Sequence, residues 1–286
     1  MNNLCRLSHV KRDQAGVSGL ADTHDTVLGL LQTIGDVSAE FVSALNGRQF
    51  AARVGTIDTQ RHPRDCATEL WLPQDLATIT SVTVDEDGDD TYELSLAVTT
   101  DYWTEREDDL DANTPIAALV INPNSTLIST WPTDRGRVRI TGLWGYSYEL
   151  ETTATTIAED LDVSETEVTV ADGTKVDPGD TLVIDSEQFE TVSRAGNTLT
   201  VVRALNGSTA ATHSTGATIY RRRYPRRVEE AVKERVTGLR WDAQSGYSGI
   251  ATLTGDPSGA AGSSTGRASY ARWKTCVGAF KRWEVS

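Results

Sequence analysis

Residues 151–220 constrain the fold more than any other part of the chain. Short alternating segments at Glu167–Ala171, Thr181–Ile184, Phe189–Ser193, Thr198–Val202 and Ala217–Tyr220 are separated by Asp172-Gly173, Asp177-Pro-Gly-Asp180, Ala195-Gly-Asn197 and Asn206-Gly207. Alternation puts every second side chain on one face, and Gly, Asn, Asp and Pro supply the turns between such runs. The stretch therefore predicts a small all-β module. A segment of about seventy residues buries only a marginal core, so the module should pack on something else.

Different patterns flank it. A helix is predicted from about Thr23 to Leu45, capped by Asp22 or Thr23, with Val27, Leu31, Ile34, Phe41, Val42 and Leu45 at helical spacing. Asn46-Gly47 supplies the left-handed stop. Glu69–Leu72 reads as a strand ended by Pro73. Ile79–Val84 and Tyr92–Ala97 read as a hairpin with the acidic tip Asp85–Asp90, and Ala117–Ile121 and Arg137–Gly142 as further strands. After Tyr224-Pro225, Val228, Ala231, Val232, Val236 and Leu239 return to helical spacing up to Trp241. Residues 245–267 are rich in Gly, Ser, Thr and Ala and predict an extended segment, followed by a last helix over about Ala268–Trp283. The fold class expected is α+β: helices packed on a small antiparallel sheet, plus an inserted small all-β domain. Its parts are residues 1–150 and 221–286 as a core in two pieces, with residues 151–220 inserted between them.

The charge is uneven. Residues 1–220 hold 35 acidic and 14 basic side chains, net −21, and residues 221–286 hold 6 and 13, net +7, which together give the −14 of the whole chain. An acidic body with a basic end suggests that the two meet different surfaces. Lysine is scarce (5 against 22 Arg), Asp exceeds Glu (24 against 17) and Thr is abundant (38). Such a composition resembles halophilic proteins and predicts better stability and assembly in molar salt, where repulsion is screened. The alternative is a GC-rich genome, which also trades Lys for Arg. Cys5, Cys66 and Cys276 are odd in number and far apart, which fits reduced thiols. No apolar run approaches the ~18 residues that would span a membrane. The first residues have no apolar signal-peptide region, so none is expected.

Motifs for chemistry are weak. Counting a calcium loop from Asp85 puts Asp90 where glycine is required and Leu96 where the closing glutamate is required, so a solvated turn with at most a weak cation site is expected. His62, Asp65 and Cys66 lie together, but no second cluster completes a tetrahedral metal site. There is no HExxH, GxSxG or phosphate-binding loop, so no enzyme activity and no cofactor are expected. The dense basic cluster Arg221, Arg222, Arg223, Arg226 and Arg227 could meet phosphates or an acidic protein surface, and structural salt bridging is the plainer reading.

The order of the pieces resembles a known family. Asn46-Gly-Arg-Gln-Phe50 closes the first helix, Glu69-Leu-Trp-Leu-Pro73 and Ile79–Val84 follow, then Asp101-Tyr-Trp103, Arg137-Val-Arg-Ile-Thr-Gly-Leu-Trp-Gly-Tyr146, and a helix opening Tyr224-Pro-Arg-Arg-Val-Glu-Glu-Ala231. This is similar to the head-tail connector (adaptor) family of long-tailed phages over roughly residues 20–148 and 221–286. The family joins the Trp-Gly-Tyr segment directly to the final helices, whereas here about seventy residues intervene. The resemblance implies a structural virion protein of the neck, assembled in the host cytoplasm. It would form a homo-oligomeric ring, a dodecamer, between portal and stopper or tail, passing viral dsDNA without tight binding. It also implies that the chain end grips the portal, which points to Arg272, Trp273, Lys274, Phe280, Lys281, Arg282 and Trp283. Alternatively these aromatics pack on the chain's own first helix. The competing function is a β-rich tail or surface module that binds a receptor or carbohydrate.

Overall fold

The computed structural model describes residues 2–14, 24–59, 66–108, 114–146, 149–244 and 261–280. The chain divides into two compact units, each discontinuous in sequence. One comprises Met1–Gly47, Glu151–Arg203 and Ala210–Trp283; the other comprises Arg48–Leu150 and Ala204–Thr209.

The second unit is an antiparallel sheet bent on itself. Its strands are β1 (Arg53–Asp58), β2 (Glu69–Val84), β3 (Leu94–Leu96), β4 (Tyr102–Arg106), β5 (Ile116–Ile121) and β6 (Val138–Trp144). The order is β1-β6-β2-β5-β4, with β3 also on β2. The long strand β2 does not stop at Pro73. Its register shifts between Trp71 and Leu76, so the proline, which lacks an amide hydrogen, falls where the ladder to β5 is already broken. On that side β2 pairs with β5 up to Leu76 and with β3 from Val82, while β6 runs along its other side. Leu72, Leu76, Val82, Tyr102, Leu119, Trp131, Ile140 and Trp144 belong to one buried cluster that contains no helical residue. Gly142 is required in β6, because a Cβ there would lie 2.2 Å from the Thr78 carbonyl oxygen.

In the first unit a second antiparallel sheet runs β7-β12-β9-β10-β11-β8. These strands are β7 (Leu150–Thr156), β8 (Glu167–Thr169), β9 (Thr181–Ile184), β10 (Glu187–Ala195), β11 (Thr198–Val202) and β12 (Thr218–Arg222). The two outer strands meet just past their ends: Ala158 N donates to Thr169 O, Ala171 N donates to Thr156 O, and Ile157 bridges Val170. The sheet thus rolls into a nearly closed barrel around Ile157, Val168, Leu182, Ile184, Phe189, Leu199 and Ile219. Closure removes the bare edge that a flat sheet would expose.

The same unit holds α1 (Leu7–Gln14), α2 (His24–Ala44), α3 (Arg226–Gln244) and α4 (Ala261–Ala279). In α2, Leu30, Ile34, Val37 and Phe41 form the buried stripe. The helix stops where expected: Asn46 and Gly47 both take positive φ, and Gly47 N donates to Val42 O. The proposed caps Asp22 and Thr23 lie outside the described residues.

The α+β expectation, with helices packed on a small sheet, is overturned. The chain is mostly β, with two six-stranded antiparallel sheets. The reason is physical: strand residues and the loop residue Trp131 fill the core of the first-described sheet without a helical residue, and the helices bury their stripes on one another. Phe41 of α2 meets Trp273 of α4 edge-on, with ring centroids 6.3 Å apart.

Candidate functional site

The three arginines that end β12 lead to the most unusual group of side chains. Ile219 points into the barrel core, and the strand's alternation puts Arg221 on the same side at the barrel's end. Arg221 and Arg222 are both buried. With Asn3–Arg6 ahead of α1, the turn Gly179–Thr181 and Tyr224 before α3, they line a cavity of about 180 Å³ within the first unit. Gly179 has φ +85°, and a Cβ there would come within 2.6 Å of Asn3 Nδ2, so the turn approaches the chain's first residues closely.

Charges around the cavity are unequally satisfied. Asp180 is buried between two arginines, with Arg221 Nε at 2.8 Å and Arg6 Nε at 3.4 Å. Arg6 also holds Asp177 at 2.8 Å, and Arg221 Nη1 lies 3.9 Å from Glu151. Burial pushes the Asp180 carboxyl above its usual range, against the pull of both arginines. His9 pairs with Glu229 at the rim. Arg222 has none of this: its Nε and Nη1 are enclosed and hydrogen-bonded to nothing. Burial pushes its guanidinium pKa down and no carboxylate offsets that. Tyr224 Oη, near Thr181, also makes no hydrogen bond of acceptable geometry, and burial raises its pKa to about 12, so it remains protonated.

The rest of the basic cluster is different. Arg223, Arg226 and Arg227 are exposed. Arg226 Nε donates to Glu230 at 2.8 Å, one helical turn on. Burial of Arg221 and Arg222 removes them from any flat nucleic-acid surface, so the cluster splits into an inward pair and an outward trio.

A second set of side chains ties the family-like motif together. Arg48 is buried; its Nε lies 2.6 Å from Asp75 Oδ2 and its Nη2 lies 2.6 Å from Glu107 Oε1. Its guanidinium sits over the Tyr146 ring at 4.7 Å, and Phe50 packs on the same ring at 5.4 Å. Tyr146 N donates to Gln49 O. Gly145 is needed here, since a Cβ would lie 2.9 Å from Ala51 O. Burial disfavours the Arg48 charge, but Asp75 and Glu107 more than restore it and hold its pKa above the usual value.

The remaining expected site residues are placed as follows. Trp273 and Phe280 are buried. Trp273 meets Phe41 edge-on and stacks on Tyr270 at 5.7 Å. Arg272 Nε is 3.1 Å from Glu234, and Lys274 Nζ is 4.8 Å from the Tyr270 ring centroid. Lys281, Arg282 and Trp283 lie outside the described residues, as do His62 and Asp65. Asp85, Asp87 and Asp89 do converge at the acidic tip. The Asp85 carboxylate, however, already accepts from the amides of Gly88 and Asp90, with Arg137 3.8 Å away. All three cysteines are free. Among the described residues no helix is long and apolar enough to cross a membrane.

No protein-family model matches this chain, and neither a curated protein nor a solved structure does. The family resemblance accordingly rests on the residues quoted for it.

Proposed function

We propose that the chain is a structural head-tail connector subunit of a tailed virus, assembling as a ring in the virion neck between the portal and the stopper or tail. The observation that carries this reading is the meeting of the motif pieces. Arg48 and Phe50, from the segment closing the first helix, pack on Tyr146, from the Trp-Gly-Tyr segment. The sheet pieces lie in the same unit: Glu69–Pro73 and Ile79–Val84 are the two halves of β2, Tyr102 opens β4, and Val138–Trp144 is β6. The pieces from Arg48 to Tyr146 thus share one unit, while Asn46-Gly47 and the helix opening at Tyr224–Ala231 belong to the other.

In this reading the acidic body lines a channel through which DNA slides, because carboxylates repel phosphates. The exposed basic residues Arg272 and Lys274 on α4 face the portal. Exposed Trp103 on the outer strand β4 supports contact between neighbouring subunits. The β-rich architecture favours a second reading, a receptor- or carbohydrate-binding module of the tail. Native mass spectrometry and negative-stain imaging of the protein, alone and with portal, separate the two. A ring of about twelve copies, or portal-dependent ring formation, supports the connector. A monomer that ignores portal and binds glycans on an array overturns it.

A further inference from the structure

The cavity at the end of β12 has donors without acceptors. Arg222 is 6 % exposed, and its Nε and Nη1 have no hydrogen-bond partner. Tyr224 Oη, on the same walls, has none either, and Arg6 Nε reaches Asp180 at 3.4 Å as an ion pair without forming a hydrogen bond. The acids nearby are already engaged: Asp180 by Arg221 and Arg6, and Glu229 by His9. Enclosed guanidinium N–H groups without an acceptor are costly, and every unsatisfied group in this set can donate a hydrogen bond. Such a set is complementary to a small, acceptor-rich, negatively charged group. The cavity of about 180 Å³ has room for one.

We propose that this cavity binds one small oxyanion, a phosphate or carboxylate group, with Arg222 as its anchor and Arg6 and Tyr224 completing the donor set. The bound group would join three parts of the chain far apart in sequence: the residues before α1, the end of β12 and the entry to α3. It also explains why the densest basic run in the sequence turns two of its arginines inward. The proposal does not depend on the connector reading.

The test uses the full chain at constant, low ionic strength. Inorganic phosphate and acetate are titrated separately against a chloride control, with melting temperature and calorimetric binding as readouts. A site with a dissociation constant of about 1 mM should raise the melting temperature by roughly 3 °C at about 10 mM ligand. The rise should vanish in Arg222→Met. That variant loses an unpaired buried charge, so in anion-free buffer it should melt no lower than the parent. The exposed control Arg226→Met should keep the response. A rise with phosphate alone assigns a phosphate group, and a rise with acetate alone assigns a carboxylate; either supports the site. No rise above chloride, an undiminished rise in Arg222→Met, or loss of the rise in Arg226→Met overturns it. If Arg222→Met does not fold, Tyr224→Phe decides: about tenfold weaker binding supports the proposal and unchanged binding defeats it.

Discussion

The two sheets have six strands each and the same antiparallel pairing, yet one rolls nearly shut and the other stays open. In the barrel most strands are three to five residues long. Short strands let the sheet turn quickly on itself, so its two outer strands β7 and β8 meet. In the other unit β2 is 16 residues long and changes partner midway, leaving one side of Ala77–Ser81 without a strand between β5 and β3. A groove of about 480 Å³ lies there, and β4 ends the sheet as an outer strand. Strand length and a change of partner along β2 leave a groove in one sheet, and closure removes the bare edges of the other.

Each unit also buries an arginine, and the largest expected effect tests how. In the barrel Glu187 is fully buried and accepts from Arg203 at 3.0 and 2.8 Å and from Ala211 N at 2.9 Å, with His213 Nε2 at 3.0 Å. Glu187→Ala leaves Arg203 buried without its carboxylate and should cost about 3–5 kcal/mol. Hydrogen exchange should show protection lost first in β9–β11. In the sheet, Asp75→Ala leaves Arg48 with Glu107, so its loss in a urea melt should stay near the lower end, about 3 kcal/mol. Equal losses would break the contrast between a sealed and a shared ion pair.

Gly142→Ala comes next. The added Cβ meets the Thr78 backbone, which can yield only by opening the β2–β6 ladder, at a cost of about 1–3 kcal/mol. That loss should appear in the bent sheet and spare the barrel amides. Acid acts on both units through smaller, distributed contributions. The Arg139 hydrogen bond holds Asp58 below its usual range. Bonds from Thr169, Thr215, Ser164 and Thr174 do the same for Glu159, Asp160, Asp162 and Asp172. Carboxylates with depressed folded pKa values contribute stability above their unfolded pKa and lose it as pH falls through the folded one. The melting temperature should therefore be level near neutrality and drop below about pH 4. Against the burial that raises it, the Gly88 and Asp90 amides lower Asp85 in the bent sheet as well; four of these six groups are in the barrel unit, so it should yield to acid first. The smallest expected effect is Trp103→Ser on β4. It should change subunit stability by less than about 0.5 kcal/mol while weakening any ring, as read by sedimentation.

The barrel strands were legible because alternation and Gly turns report a half-buried β segment directly. The strand β7 was not, because Leu150–Thr156 carries threonines where apolar alternation would be sought. Pro73 reads locally as a strand end, and only the partner exchange along β2 shows why it is tolerated. Trp273, Val277 and Phe280 share the spacing of a core-facing helical stripe, so an aromatic-and-basic pattern could not distinguish an anchor from a helix packing on its neighbours. The cavity was invisible for another reason. Arg6, Asp180 and Arg222 come together only through the third dimension, and a basic run is ordinarily read as solvent-facing.

The short return Ala204–Thr209, which belongs to the bent sheet's unit, brings Gly207 so close to β1 that a Cβ there would lie 2.5 Å from Val54 O. It acts as a cover for an edge whose strand is otherwise largely exposed. Residues 48–150 expressed by themselves would carry that edge bare, ready to template pairing with a second molecule. A single protease nick between β11 and β12 would free the same edge in the intact chain. The fate of stored or partly digested material, soluble or fibrillar, would then hang on six residues.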